Sequence, residues 1–278
     1  MHLFFDLDGT LTDSGLGIVR SFVHALKRVG VEVIELPLLV CVGPPLPVAF
    51  RTLLPSADAQ VIEQAIAVYR ERFETTGMFE NVLYPGVRQA LAELQQEGHR
   101  MSIVTAKPRP YAIRILEHFG IDRFFDAVHG PTLADRTHNK VLLIEEALRG
   151  VASSHAVMIG DRDEDIRAAE ANGIPAIAAR WGYGSAAELS AAGPSYTAEE
   201  INDVVRWVRR RSVSASGQPE WSGSQTLDCA FNGSKKAHCS TTQIIHGCEA
   251  PGAGKAQKGA GQSLVRAQSA AQIRRPTC

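Results

Sequence analysis

Two aspartates, Asp6 and Asp8, follow the first apolar residues of the sequence, in the stretch FFDLDGTLTD. Side chains two residues apart in a strand point the same way, so both carboxylates can face one cavity. Like charges this close disfavour each other's ionisation. The pair suits a hard cation such as Mg2+, or a nucleophile with an acid or base beside it. Aspartates that cap a helix or a turn would show the same pattern, and this alternative stays open for the pair alone.

Other side chains able to do chemistry follow two later apolar runs or open a predicted helix. Thr105 ends the run MSIVT, and its hydroxyl can donate to a phosphoryl oxygen. Lys140 opens a helix, where a cation is unfavourable unless an anion compensates it. Asp161 directly follows the run AVMIG, and Asp165 comes soon after it. Each has an ordinary structural explanation by itself, but together they predict a phosphoryl-transfer site, which needs positioning and charge stabilisation.

The elements that must position these residues are short apolar strands alternating with amphipathic helices. Near-continuous apolar runs are typical of strands covered on both faces. They predict strands at His2–Asp6, Arg100–Thr105, Phe125–His129, Ala156–Gly160 and Ala176–Ala179. The alternation indicates an α/β fold with a doubly wound parallel sheet. Ligands bind at the carboxyl ends of such strands, where the candidate residues fall.

The alternation stops between about residues 14 and 81, which predicts a helical cap inserted after the first strand. Two apolar stripes at helical spacing support it. They are Ile18, Phe22, Ala25, Leu26 and Val29, and Ile62, Ala65, Ile66, Tyr69 and Phe73. Between them lies CVGPPLPVAF, too rich in Pro and Gly for one regular helix. This loop would face the core, so Gly43 and Pro44 are candidates for substrate contact.

The composition is that of an ordinary globular chain. Its 278 residues are 45% hydrophobic and 21% charged, and the formal net charge of -1 provides no basic field for nucleic acid. No apolar run approaches the ~20 residues of a membrane helix, and no signal peptide opens the chain. Cys41 is the one cysteine before residue 212, which suits a reducing compartment. We therefore expect a cytoplasmic protein that binds neither nucleic acid nor membranes.

The end of the chain differs from the rest. Residues 212–278 are rich in Ser, Gly, Ala and Gln and hold few large apolar residues, so we expect a disordered or non-native tail. Four residues of this tail could be zinc ligands: Cys229, Cys239, His246 and Cys248. Their spacing, C-x9-C-x6-H-x-C, matches no tight zinc knuckle. The expected domains are a catalytic core at 1–13 and 82–211, the cap at 14–81, and this tail.

Four motifs in order resemble those of the haloacid dehalogenase-like (HAD-like) hydrolase superfamily. DLDGTLTDSG resembles the first motif, IVTAKP the second, Lys140 the third and IGDRDED the fourth. The stretches VGPPLPVAF, GPTLADRTHNK and RWGYGSAAELSAAGPSY are similar to the branch of 5'-nucleotidase-like and phosphoglycolate phosphatase-like proteins. The resemblance covers roughly residues 1–211 and implies a Rossmann-like core.

This resemblance implies a Mg2+-dependent phosphatase that works through an aspartyl-phosphate. Its substrate would be a small phosphorylated metabolite of the 5'-nucleotide or phosphoglycolate class, and the protein would be a monomer or homodimer. Asp6 would be the nucleophile and Asp8 the acid and base, with Thr105 and Lys140 on the phosphate. The metal would be held by Asp6, Asp161 and the Asp8 carbonyl. Asp165 would be a second carboxylate near the metal, acting indirectly.

Other activities remain open at this point. A sugar-phosphate mutase of the same superfamily would share all four motifs, although Thr10 and the branch favour a phosphatase. A phosphate-binding module without turnover would not need Asp8, and dehalogenases lack an acidic residue at that position. Met78, Trp181 and Tyr183 are interpreted as packing or loop residues rather than as substrate contacts.

Overall fold

The structure, a computed structural model, describes residues 1–33, 42–135, 139–215 and 273–274. These residues belong to one compact unit, Met1–Gly217 with Ser269–Cys278, and the second unit, Gln218–Gln268, lies outside them. Most of the predicted tail therefore lies outside the described residues, including Cys229, Cys239, His246 and Cys248. The last helix continues past the predicted boundary at residue 211, to Ala215.

Strands and helices alternate along most of the described chain. The strands are β1 (His2–Phe5), β2 (Thr12–Asp13), β3 (Glu32–Val33), β4 (Val82–Leu83), β5 (Arg100–Val104), β6 (Ala127–His129), β7 (Ala156–Gly160), β8 (Ala176–Ala179), β9 (Tyr196–Ala198) and β10 (Ile273–Arg274). The α-helices are α1 (Gly15–Arg28), α2 (Leu46–Leu53), α3 (Ala59–Thr75), α4 (Val87–Gln96), α5 (Arg109–Phe119), α6 (Lys140–Ala147), α7 (Asp163–Ala171), α8 (Ala186–Ala192) and α9 (Ile201–Ala215). Short 3-10 turns lie at Gly77–Phe79, Asp122–Phe124 and Ser153–His155. Among these helices none is long and apolar enough to cross a bilayer.

Six parallel strands form the central sheet, in the order β6-β5-β1-β7-β8-β9. The predicted α/β fold with a parallel sheet is confirmed, and β7 and β8 have the predicted bounds. Strand β1 lies between β5 and β7, with Phe5 opposite both Ile103 and Ile159. Every residue of β1 is buried, as the apolar run predicts for a central strand covered on both faces. Buried side chains form two clusters, with Phe5 of β1 in one and its neighbour Phe4 in the other. Since neighbouring side chains of a strand point to opposite faces, helices cover both faces of the sheet.

The helical insertion after the first strand is also confirmed. Helices α1 and α3 pack against each other through their predicted apolar stripes, and the rings of Phe22 and Tyr69 lie 4.8 Å apart. The chain leaves the core through β2 and returns through β4, and these two strands pair antiparallel, Asp13 opposite Val82. A two-strand ribbon thus joins the insertion to the sheet. We propose residues 14–81 as the cap and use that name below.

Candidate active site

The sheet register brings the candidate residues of three separate strands to one edge. Asp6, Thr105 and Asp161 each directly follow the last residue of β1, β5 or β7, and these strands are neighbours. The backbone N–H of Asp6 donates to the Ile159 carbonyl at 2.9 Å, which fixes the end of β1 against β7. Parallel pairing therefore assembles at one carboxyl edge residues that lie far apart in the sequence.

Three buried carboxylates meet at this edge. Oxygen atoms of Asp6, Asp161 and Asp165 all lie within 4.8 Å of one another. Asp165 stands in the first turn of α7, where its Oδ2 accepts from the Arg162 backbone N–H at 3.0 Å. The carboxylate therefore caps the helix and also faces the cluster. Gly160 leaves the room that it needs, since a Cβ there would lie 2.1 Å from Asp165 Cγ.

Lys140 lies within this acidic cluster. It is the first residue of α6, and Asn139 caps the helix by accepting from the Val141 N–H at 3.0 Å. The buried ammonium contacts Asp165 and lies 3.2 Å from Asp6 Oδ2. Burial by itself lowers the pKa of Lys140, but these two carboxylates more than reverse this and raise it above its ordinary value. Lys140 therefore carries a positive charge, as the sequence predicts for a lysine that a carboxylate compensates.

Asp161 is fully buried and bound from two sides. It accepts from the Tyr183 backbone N–H at 2.8 Å and from the Thr10 hydroxyl at 3.1 Å. Burial, followed by the charges of Asp165 and Asp6, raises the pKa of Asp161 to about 8. Gly9 lies against it with φ of 85°, where a Cβ would be 2.2 Å from Asp161 Oδ2. The surrounding backbone thus holds this carboxylate in place although its charge is unfavourable there.

These residues fit a divalent cation. If all three carboxylates are ionised, one ammonium leaves two negative charges uncompensated in a buried place, which is costly without a cation. Asp6 Oδ1 is buried and has no hydrogen-bond partner within the described residues. Carboxylate oxygens are the ligands that hard cations take. Asp6, Asp161 and Asp165 therefore form a candidate metal centre.

Asp8 is held separately, by a lysine that the sequence analysis missed. Its Oδ2 is bound by the ammonium of Lys107, which is buried. The lysine backbone N–H donates to Thr105 Oγ1 at 3.2 Å, so the turn after β5 places both residues at the site. The signal was present in the motif IVTAKP, since a second lysine follows a strand end that faces an acidic pair. Two lysines, rather than Lys140 alone, offset the charge of the first motif.

The site opens into a cavity of about 230 Å³ between the core and the cap. Asp6, Asp8 and the buried Thr105 line it together with Gly43 and Pro44. The predicted cap-loop residues therefore lie at the same cavity as the catalytic candidates. The core and cap residues that complete much of the lining are Lys107, Lys140, Arg70, Phe73, Tyr111 and Arg162.

Tyr183 has a larger part in the site than the sequence indicated. The residue packs against the core, as interpreted, but it also lines the cavity, and its hydroxyl donates to Asp13 Oδ1 at 2.9 Å. The loop GYG has no periodicity, and its function depends on a backbone N–H that no side-chain pattern reveals. The Trp181 indole N–H donates to the Thr10 carbonyl at 2.9 Å, which secures the first motif from behind. Met78 is buried in the core, as predicted.

The comparison with protein families shows which family the chain belongs to. The family model described as haloacid dehalogenase-like hydrolase matches residues 3–179, which include every candidate catalytic and metal-binding residue. The chain belongs to the haloacid dehalogenase-like hydrolase family. The expected membership is thus confirmed, and the core and the inserted helices are those of a HAD-like hydrolase.

Individual relatives cover most of the described chain. It is 38% identical to a 5'-nucleotidase of Pseudomonas aeruginosa, over 72% of this chain and 91% of that protein. It is 40% identical to the tyrosine-protein kinase PtkA of Mycobacterium tuberculosis, over 66% of this chain and 63% of that protein. The crystal structure of a predicted phosphatase from Clostridium acetobutylicum superimposes with a TM-score of 0.69 at 35% identity, covering 75% of this chain and 98% of that one.

Proposed function

We propose that this HAD-like hydrolase is a Mg2+-dependent phosphomonoesterase that works through an aspartyl-phosphate on Asp6. The observation that carries the proposal is the arrangement of the two oxygens of Asp6. Oδ2 lies 3.2 Å from the Lys140 ammonium, while the buried Oδ1 has no partner within the described residues. Asp6 also lines the cavity, so its carboxylate is placed to attack a phosphorus atom there.

Charge stabilisation would come from the side chains around that atom. Lys140 and the Thr105 hydroxyl both line the cavity and can donate to the oxygens of a phosphoryl group. Asp6 and Asp161, with the Asp8 carbonyl, would hold Mg2+, and Asp165 would act on it through Lys140 and the neighbouring carboxylates. When bound, Mg2+ neutralises the phosphoryl oxygens and the carboxylate cluster.

Asp8 would serve both chemical steps. As Asp6 attacks the phosphorus, the P–O bond to the leaving group breaks, and the leaving oxygen takes the proton from Asp8. Asp8 then accepts a proton from water, and the water oxygen attacks the phosphorus and releases Asp6 with inorganic phosphate. Both roles suit its place at the cavity, where Lys107 holds its other side.

The substrate would be a small phosphorylated metabolite, of the 5'-nucleotide or phosphoglycolate class. The 5'-nucleotidase relative and the limited cavity between core and cap support this class. A second candidate is phosphoryl transfer to a tyrosine hydroxyl, which the 40% identity to PtkA favours. This reaction would form the same aspartyl-phosphate with the same residues, and a tyrosine hydroxyl would then take the place of water in the second step.

The purified full chain should be assayed against nucleoside 5'-monophosphates, phosphoglycolate, sugar phosphates and p-nitrophenyl phosphate, with Mg2+ or with excess chelator. We expect phosphate release that requires Mg2+ and disappears in Asp6→Asn, whose amide is nearly isosteric with the carboxylate but a poor nucleophile. Asp122→Asn is the matched control, because this exposed residue lies outside the cavity lining. Circular dichroism would show that both variants are folded.

Several outcomes would contradict the proposal. Full activity in chelator would exclude the metal, and substantial turnover by Asp6→Asn would exclude the covalent route. A parallel incubation with ATP and tyrosine-containing peptides tests the second candidate. Phosphotyrosine without release of phosphate from any monoester would favour it over the phosphatase.

A further inference from the structure

Lys107 is buried but is absent from the chemistry of the proposed mechanism. Its side chain is 6% exposed, and its ammonium lies between a catalytic candidate of the core and an aromatic residue of the cap. Burying a long cationic side chain is costly unless its charge is compensated. Its contacts therefore indicate what the ammonium does at the site.

The first contact fixes one oxygen of Asp8. The Lys107 ammonium binds Oδ2, while Oδ1 is buried and has no hydrogen-bond partner within the described residues. Because a carboxylate held at one oxygen cannot turn freely, the other oxygen is left in a defined position. Asp8 lines the cavity and Oδ1 is its oxygen without a partner, so Oδ1 is the one that would exchange a proton with a leaving group or a water.

The second contact connects this pair to the cap. The ammonium lies 4.9 Å from the centre of the Phe73 ring, within the range of a cation–π interaction. Phe73 belongs to α3 of the cap, and it stacks on Tyr69 at 5.6 Å and packs on Tyr111 of α5 at 5.5 Å. The Phe73 ring therefore lies between an aromatic residue of the cap and one of the core. A second contact joins the same two elements, since the Tyr111 hydroxyl donates to Glu74 of α3.

We propose that Lys107 is a positioning residue that orients Asp8 for proton transfer through Oδ1, and that Phe73 makes this orientation depend on a closed cap. The inference rests on the proposed phosphatase function. With the cap closed, Phe73 covers the ammonium and Lys107 has Asp8 as its anionic partner. With the cap displaced, water replaces the ring, and the hold on Asp8 is weakened.

The alternative is that Lys107 acts as a further phosphate ligand, because it also lines the cavity. The two roles differ in which substrates they affect. Poor orientation of a proton donor slows alkyl phosphates, whose leaving oxygen needs the proton, far more than p-nitrophenyl phosphate, whose phenolate leaves without it. Loss of a phosphate ligand slows every monoester to a similar degree, since the phosphoryl group is the same in each.

The experiment measures kcat/KM of the Mg2+-loaded enzyme for monoesters with leaving groups of increasing basicity. This parameter reports the step in which the leaving group departs, whichever step limits kcat. In Lys107→Met we expect a loss of about 100-fold on alkyl phosphates and of only a few-fold on p-nitrophenyl phosphate, since general acid catalysis contributes at least that much. Lys107→Arg should recover much of the loss, because a guanidinium also binds a carboxylate.

Combining the change with Asp8→Asn gives the decisive comparison. In that background the proton donor is already absent, so Lys107→Met should have almost no effect on p-nitrophenyl phosphate hydrolysis. The double variant also buries no unpaired charge, so it stays informative if Lys107→Met alone folds poorly. A loss of equal size in both backgrounds, or a uniform loss on all monoesters, would overturn the positioning role.

The cap contribution has its own matched pair. Phe73→Leu should steepen the dependence on leaving-group basicity in the same direction as Lys107→Met, and by less. Phe50→Leu is the control, because Phe50 is a buried cap aromatic that packs on Tyr69 and lies outside the cavity lining. Equal behaviour of these two variants would overturn the connection to the cap. Failure of the proposed function itself is distinguishable, since Asp6→Asn would then retain turnover.

Discussion

Gly9→Ala tests how tightly the first motif packs against the carboxylate cluster. The φ of 85° at Gly9 costs an alanine about 1–2 kcal/mol. A Cβ at this position would also lie 2.2, 2.6 and 2.7 Å from the three carboxyl atoms of Asp161. Forcing a methyl into such a packed place costs about 1–3 kcal/mol more. We therefore expect Gly9→Ala to lower the free energy of unfolding by about 2–5 kcal/mol.

Gly98→Ala is the matched control. Gly98 has nearly the same backbone, with φ of 79°, but a Cβ there would meet nothing within 4 Å. It should cost only the backbone strain of about 1–2 kcal/mol and leave turnover intact. The difference between the two variants then isolates the contact with Asp161. Urea denaturation measures both free energies, at one fixed Mg2+ concentration.

Activity provides the second readout of the same change. The methyl at Gly9 must displace the Asp161 carboxylate, and a misplacement of about 1 Å at an active site can reduce the rate about 100-fold. Gly9→Ala should therefore lose most of its kcat/KM on any monoester that the wild type hydrolyses. Equal stability of the two variants together with normal activity of Gly9→Ala would refute the packing described here.

Three further predictions concern other parts of the chain. Burial lowers the pKa of His2 below its ordinary value of 6.5. As pH falls, His2 is therefore protonated in the unfolded state before it is protonated in the folded state, and the folded state loses stability below about pH 6.5. His2→Gln should then lose less unfolding free energy than the wild type between pH 7 and pH 5, and an equal loss in urea titrations would contradict this. Gly43→Ala should raise KM more than it lowers kcat. The φ of Gly43 is 105°, and a Cβ there would lie 2.8 Å from Arg162 Nη1 in the cavity wall. An unchanged KM in steady-state assays would argue against a substrate contact. Truncation after Ala215 should leave kcat/KM unchanged, since every residue found to line the cavity precedes it, and an inactive but folded truncation would show that the tail completes the site.

The sequence carried the information for the sheet edge because strand ends are local features. The apolar runs before Asp6, Thr105 and Asp161 predict strands, and the rule that ligands bind at carboxyl ends then places all three at one edge. The parallel pairing of β1 with β5 and β7 agrees with this prediction. Predicted strand limits differ by one or two residues, as at Phe125, where the ladder begins only at Ala127.

Contacts between distant segments could not be predicted in the same way. Lys107 binds Asp8 only because the turn after β5 directs its side chain across to β1. Tyr183 contributes a backbone N–H to Asp161, and no residue type marks that role. The contact of Phe73 with Lys107 depends on how the cap lies over the core, whereas its helical stripe indicates only that the residue is buried.

The most direct test of the central claim is to find the phosphoryl group on Asp6. Asp8→Asn should be mixed with p-nitrophenyl phosphate and Mg2+, quenched in acid and digested with pepsin at acidic pH, at which an acyl phosphate survives. The peptide to be fragmented is the N-terminal one that contains Asp6 and Asp13. We predict that fragmentation places the phosphoryl group on Asp6, that the amount approaches one per chain, and that Asp6→Asn carries none. A wild-type enzyme that turns over while no phosphoryl group is found on Asp6, or a phosphoryl group found on another residue of the peptide, would contradict the account.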